Sequence, residues 1–171
     1  MIYAVIDTNV LVSAMLTHNN LSATIQVMEA MFANKIIPLY NEEIISEYED
    51  VLHRAKFNFD EAKIRHYLES LKEIGIHSQR IASSEHFPDP KDVVFYEVAL
   101  SKDDAYLVTG NKKHFPQKPI VVTPAEMMKI LEAEHTWQPD QGSPLIDALA
   151  EKIILEANFR RNSYNWGIES L

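Results

Sequence analysis

The chain contains no cysteine in 171 residues, which excludes a disulfide scaffold and any zinc site built on thiolates. No apolar run approaches the roughly 20 residues that span a bilayer. The opening residues lack the charged-then-apolar layout of a secretory signal, and no repeat or low-complexity tract is present. These absences lead us to expect a soluble globular protein of the cytoplasm, with one domain large enough for a real core. Positive charge is also scarce. Sixteen Lys and Arg against 25 Asp and Glu leave a formal net charge of -9, which argues against broad, nonspecific coating of nucleic acid. Carboxylates gathered around a cation would themselves raise the acidic count, so chemistry on nucleic acid through a bound metal stays open.

Hydrophobic patterning organises the rest. Residues 2–6 read as a short buried strand stopping at Asp7, and 9–16 and 21–32 carry helical spacing. A second strand is expected over 36–40. Asn41 caps a helix to about Arg54, with Ile44, Tyr48, Val51, Leu52 and Ala55 on one face. Asp60 caps another, with Ile64, Tyr67, Leu68, Leu71 and Ile74 as its stripe and Gly75 as its stop. A weak strand is expected over 76–81. Asp89 and Pro90 start a helix over 91–100 that is apolar almost all round and so belongs in the core. Strands over 105–109 and 120–122 and a short helix from Pro124 to Glu132 follow. Alternating strands and helices predict an α/β fold with a mostly parallel central sheet flanked by helices.

In such a sheet, ligands bind outside the carboxyl ends of the strands. Two core strands end in polar residues there: the first at Asp7-Thr8-Asn9, the later one at Thr109-Gly110-Asn111. Asp7 alone reads equally well as a helix cap. On the helix after Asn41, Glu47 lies about 40° from the edge of the apolar face, nearer than Glu42, Glu43, Glu49 or Asp50. Glu47 is therefore the acid placed to enter a half-buried cleft, and the others form a solvated face. Asp89 is explained as a cap, whereas Asp92 opens a buried helix and is expected to face the sheet end. Asp103 and Asp104 precede a strand, at the wrong edge for the site. Three carboxylates, Asp7, Glu47 and Asp92, gathered without lysines need a cation. Oxygen ligands select Mg²⁺ or Mn²⁺, which suits hydrolysis of a phosphodiester by an activated water.

These residues resemble a known family. Asp7-Thr8-Asn9-Val10-Leu11 is similar to the opening motif of PIN domains, and the segment 44–52 around Glu47 to their glutamate helix. Asp89-Pro90-Lys91-Asp92, followed by Phe95, Ala99 and Leu100, resembles the third acidic motif, and the segment 105–116 the last. The four stand in family order over roughly the first three quarters of the chain, which makes the resemblance fairly specific. It implies a Rossmann-like PIN fold and a Mg²⁺- or Mn²⁺-dependent endoribonuclease. Among bacterial members, VapC-type toxins are held by an antitoxin protein, often as homodimers. It also implies that Asp7, Glu47 and Asp92 are catalytic metal ligands, with Asn9 and Thr109 as supporting polar residues. One departure stands out: where a fourth acid is common, this chain has Asn111 and His114. Asn111 could ligate through its carbonyl or bond to a metal-held water. His114 reads as a loop histidine contacting backbone. Lys112, Lys113, Arg54 and Lys56 are candidate phosphate contacts at the rim.

Two other readings compete. A haloacid-dehalogenase-like phosphatase wants a second Asp where Asn9 stands. A non-enzymatic PIN-like module, binding RNA or protein, is favoured by Asn111 but opposed by the retention of three mutually repelling acids. We assign residues 1–134 to the PIN nuclease domain and 135–171 to a C-terminal helical extension. In that extension residues 139–144 look like a linker, and Leu145, Leu149 and Ile153 share a helical stripe.

Overall fold

A computed structural model of the chain describes residues 1–17 and 19–134. The expected linker and C-terminal helix therefore lie outside the described residues. Among the described residues five strands form one all-parallel sheet: β1 (Ile2–Ile6), β2 (Ile36–Tyr40), β3 (Ile76–His77), β4 (Tyr106–Val108) and β5 (Val121–Val122). Their order is β3-β2-β1-β4-β5. The chain runs outward from β1 to β3, then returns to the other side of β1. The crevice between the carboxyl ends of β1 and β4 is thus where the winding reverses. Among the described residues six α-helices complete the α/β fold: α1 (Thr8–Leu16), α2 (Ala23–Phe32), α3 (Glu42–Leu52), α4 (Glu61–Ile74), α5 (Val93–Ala99) and α6 (Pro124–Ala133).

Local chemistry explains most boundaries. The side chains of Asn41, Asp60 and Asp89 accept from Ile44 N (2.9 Å), Lys63 N (3.2 Å) and Lys91 N (2.9 Å), which satisfies the free donors at each helical start. Gly75 is required by close packing: a Cβ there would stand 2.7 Å from the Leu71 carbonyl and 2.9 Å from that of Pro38. β1 and β4 are covered by helices, so their residues Ala4, Val5, Ile6, Leu107 and Val108 are all buried.

The structure trims some expectations. α2 begins at Ala23, because Ser22 takes the cap position and accepts from Ile25 N. α3 stops at Leu52, leaving Ala55 exposed beyond it. β4 and β5 are each shorter than the apolar runs that carry them. The largest difference concerns 76–81, where only Ile76–His77 pairs with β2. Ser78 N–H still reaches the Tyr40 carbonyl at 2.7 Å, but Ile81 N–H turns to the Glu97 carbonyl on α5.

Glu97 is the reason the chain leaves the sheet. It is a buried acid in an otherwise apolar helix. Its carboxylate accepts from Arg80 Nε (2.8 Å) and Ser83 N (2.8 Å), and Arg80 also reaches Glu43 at 2.7 Å. Burial alone would raise the Glu97 carboxyl. The Ser83 amide and the Arg80 guanidinium outweigh burial and hold it below the usual glutamate value. A buried charge needs such partners, so Glu97 ties the irregular stretch before Asp89 to the helix that follows Asp92.

Candidate metal centre

Asp7 is the last residue before α1. Its backbone stays in the sheet, with Asp7 N–H on the Val108 carbonyl at 2.9 Å, while its side chain caps the helix. The cap reading of Asp7 is realised, and the residue stands at the strand tip. Oδ1 accepts from Asn9 N at 3.3 Å. Oδ2 accepts from the Thr109 hydroxyl at 2.6 Å and from the Asn9 amide. Thr109, fully buried, also accepts from Asn111 N at 3.0 Å. Asn9 accepts from Gly110 N at 2.8 Å, and a Cβ on Gly110 would stand 2.9 Å from that same oxygen. The Thr-Gly pair thus lets β4 close on β1 through Asn9. Both expected supporting residues, Asn9 and Thr109, orient the Asp7 carboxylate.

Asp92 ends the 3-10 turn Pro90–Asp92 and stands at the N-cap position of α5 without a side-chain capping hydrogen bond. It stands close enough to Asp7 for the charge of one to be felt by the other. Burial, then the neighbouring Asp7 carboxylate, push the Asp92 carboxyl above its usual value, and His114 partly offsets this. Asp7 is likewise pushed up by burial, against the opposing pull of Thr109, Asn9 and His114. Asp92 Oδ2 is sealed from solvent. His114 Nδ1 lies 3.0 Å from it. His114 is thus more than the loop residue against backbone that the sequence suggests. Its proximity to Asp92 depends on the 3-10 turn Lys112–His114, which no periodicity announces.

Glu47 is half-buried on α3, whereas Glu42, Glu43, Glu49 and Asp50 are exposed, as the helical angle required. The next residue, Tyr48, is buried and donates its hydroxyl to the Ile6 carbonyl, one residue before Asp7. Burial pushes the Tyr48 phenol up, with Tyr67 and Asp7 adding to it. This anchor ties the turn of α3 that carries Glu47 to the end of β1. The structure does not join Glu47 to the other two acids: among the described residues no three His, Asp or Glu side chains form a group able to hold a metal ion. Asn111 is half-buried, and its side chain makes no capping hydrogen bond. Asp103 and Asp104 are exposed at the other edge of the sheet, as expected.

Asp7 and Asp92 bring carboxylate oxygens, the donors that hard divalent cations take, but among the described residues they do not make a complete ligand set. The Asp7 and Asp92 carboxyls are both raised by burial, and Asp92 further by Asp7, so added positive charge would stabilise the pair. Lys112 is engaged with Glu126 at 3.1 Å, and Lys118 with Glu85 at 2.7 Å. Both line a cavity of about 430 Å³ together with Lys113, Pro116, Gln117 and Pro119, directly after the β4 tip.

A sequence profile of the PIN domain matches residues 3–113, and the chain belongs to the PIN domain family. No curated protein matches it. Among solved structures, the chain is similar to one in the crystal structure of VapBC2 from Rickettsia felis bound to a DNA fragment from their promoter. The identity is 18%, over 72% of this chain and 97% of that one, with a TM-score of 0.48. Among the described residues no helix is long and apolar enough to cross a membrane.

Proposed function

We propose that this PIN domain is a metal-dependent endoribonuclease that hydrolyses RNA phosphodiester bonds. The observation that carries the reading is that Asp92 stands near enough to Asp7 at the β1–β4 crevice for the two carboxylates to repel, with only the His114 imidazole beside Asp92 Oδ2 to offset it among the charges that act on both. Asp7 and Asp92 would hold Mg²⁺ or Mn²⁺, with Glu47 approaching from α3 and Asn111 from the β4 tip. The ion, when bound, supplies an activated water and stabilises charge on the scissile phosphate. The chain's own residues do the positioning. Thr109 and Asn9 fix the Asp7 carboxylate in one orientation, so no reorganisation is needed as charge develops. Lys113, with Lys112 and Lys118 lining the same cavity, would contact the phosphate backbone of the RNA.

The motif resemblance extends the proposal to the toxin of a cytoplasmic toxin–antitoxin pair, working as a homodimer against an antitoxin protein. The test is cleavage of a mixed-sequence RNA and of the matching DNA, with Mg²⁺, with Mn²⁺ and with EDTA. We expect RNA fragments that appear with either ion, vanish with EDTA and have no DNA counterpart. RNA binding without cleavage under every condition would favour a non-enzymatic binding module instead.

A further inference from the structure

The loop that leaves α3 has chemistry that the carboxylate site does not use. From Val51 to Phe59 the chain carries no acid, although its net charge is -9, and the loop presents exposed Arg54 and Lys56 beside half-buried Phe57 and Phe59. Phe59 packs on the hydrophobic core, and Phe57 stacks on Phe59 with centroids 5.4 Å apart and planes 13° from parallel. Phe57 itself lies outside the core. The Lys56 ammonium stands over the Phe57 ring, 4.7 Å from its centroid. The loop is held at both ends. His53 Nδ1 lies 2.7 Å from the Glu49 carbonyl, and its Nε2 lies 2.9 Å from Glu61 on α4. Phe57 N–H closes a turn on the Arg54 carbonyl at 3.0 Å, and Asn58, between the two rings, takes the left-handed conformation with φ 50°.

α3 packs against both α1 and α5. Right-handed crossovers place those two helices on opposite faces of the sheet, so α3 passes over the carboxyl edge, where Tyr48 meets the end of β1. Its last residue, Leu52, lies about 8 Å along the axis from Glu47. The loop therefore leaves α3 at the edge of the sheet that carries Asp7. On the reading that this crevice cleaves RNA, we propose that Phe57 is a stacking subsite for an unpaired base of the bound strand, with Arg54 and Lys56 on its flanking phosphates. A ring face that an exposed ammonium reaches is one that a base reaches, and every base has a π-face of its own. A stacked base displaces the ammonium, which is then free to meet a phosphate. Phe59 fixes the ring beforehand, so little side-chain freedom is lost on binding. In a chain of acidic balance, local positive charge beside an aromatic ring fits a polyanion that carries flat rings better than it fits an apolar protein surface.

The test is fluorescence anisotropy of a short single-stranded RNA on the full chain in EDTA, against an abasic strand of the same charge, with Mn²⁺-dependent cleavage kinetics alongside. We expect wild type to prefer the strand that carries bases. Phe57→Ala and Phe57→Leu should lose that preference and weaken RNA binding by about five- to a hundredfold, with KM raised and kcat nearly unchanged. Phe57→Tyr should keep both. Arg54→Gln together with Lys56→Gln should weaken the two strands alike and flatten the salt dependence by a log–log slope of about 1.4. Phe57→Leu keeps apolar bulk against Phe59, so it tests stacking should Phe57→Ala fail to fold. A folded Phe57→Leu that binds and cleaves RNA as Phe57→Tyr does overturns the stacking subsite, leaves the nuclease reading in place and gives the loop to a protein partner. A wild type that cleaves RNA but holds both strands equally overturns the subsite as well. Wild type that neither binds nor cleaves RNA overturns the reading beneath it.

Discussion

Asp7→Asn will lower metal-dependent RNA cleavage by a factor on the order of a thousand, while the metal-free protein stays as stable as wild type or becomes more so. Activity falls because an amide is a poorer ligand than a carboxylate and cannot neutralise the ion. Stability holds because the single amide oxygen keeps either the cap to Asn9 N or the bond from Thr109, and loss of the other contact is offset by removal of the buried charge. The charge itself is a burden in the metal-free fold. Burial raises the Asp7 carboxyl above its ordinary value of 3.8, so folding favours its protonated form. A raised carboxyl contributes stability that is fully present below the unfolded value and lost as pH rises through the folded one. The stability difference between variant and wild type should therefore be largest at neutral pH and shrink as pH falls toward 4. Thermal melts in EDTA across that range check the sign. A metal-free variant that melts well below wild type at neutral pH would mean that Asp7 serves the fold first.

Thr109→Val should damage both stability and activity. Valine matches the shape and removes only the hydroxyl, from a fully buried position. That hydroxyl is the foremost influence holding the Asp7 carboxyl down, and it also accepts from Asn111 N. Its loss leaves a buried carboxylate short of a donor and an amide short of an acceptor, a cost of about 1–3 kcal/mol in the metal-free protein. Cleavage should fall by roughly ten- to a hundredfold, because Asp7 is then less firmly oriented. Thr109→Ser keeps the hydroxyl and should recover most of the rate. Denaturant titration and single-turnover cleavage measure the two effects. Wild-type rates in a stably folded Thr109→Val would show that the hydrogen bond is incidental.

Much of this arrangement is legible in the amino-acid sequence. The strands are short apolar runs because a parallel sheet covered by helices needs no alternation, and the caps Asn41, Asp60 and Asp89 stand at the helix starts. Glu47 can be singled out from four acidic neighbours because the angle between residues on a helix is fixed. Contacts across the chain are different. Nothing local says that Arg80, in a stretch without periodicity, neutralises Glu97 in a core helix, or that this contact ends β3 after two residues. Nor does any pattern say that a 3-10 turn carries His114 to Asp92. Asn9 is intermediate. It is legible as part of a motif, but its link to Gly110 on another strand appears only once β1 and β4 are neighbours.

If Asp7 and Asp92 act together on one divalent ion, metal affinity must depend on both. Calorimetric titration of Mn²⁺ into wild type, Asp7→Asn, Asp92→Asn and the double variant tests this most directly. We predict one saturable site in wild type and a loss of at least about tenfold in each single variant. The double variant should lose less than the sum of the two, since they share one ligand sphere. Wild-type protein that takes up no Mn²⁺, or single variants that bind it as wild type does, would contradict the account.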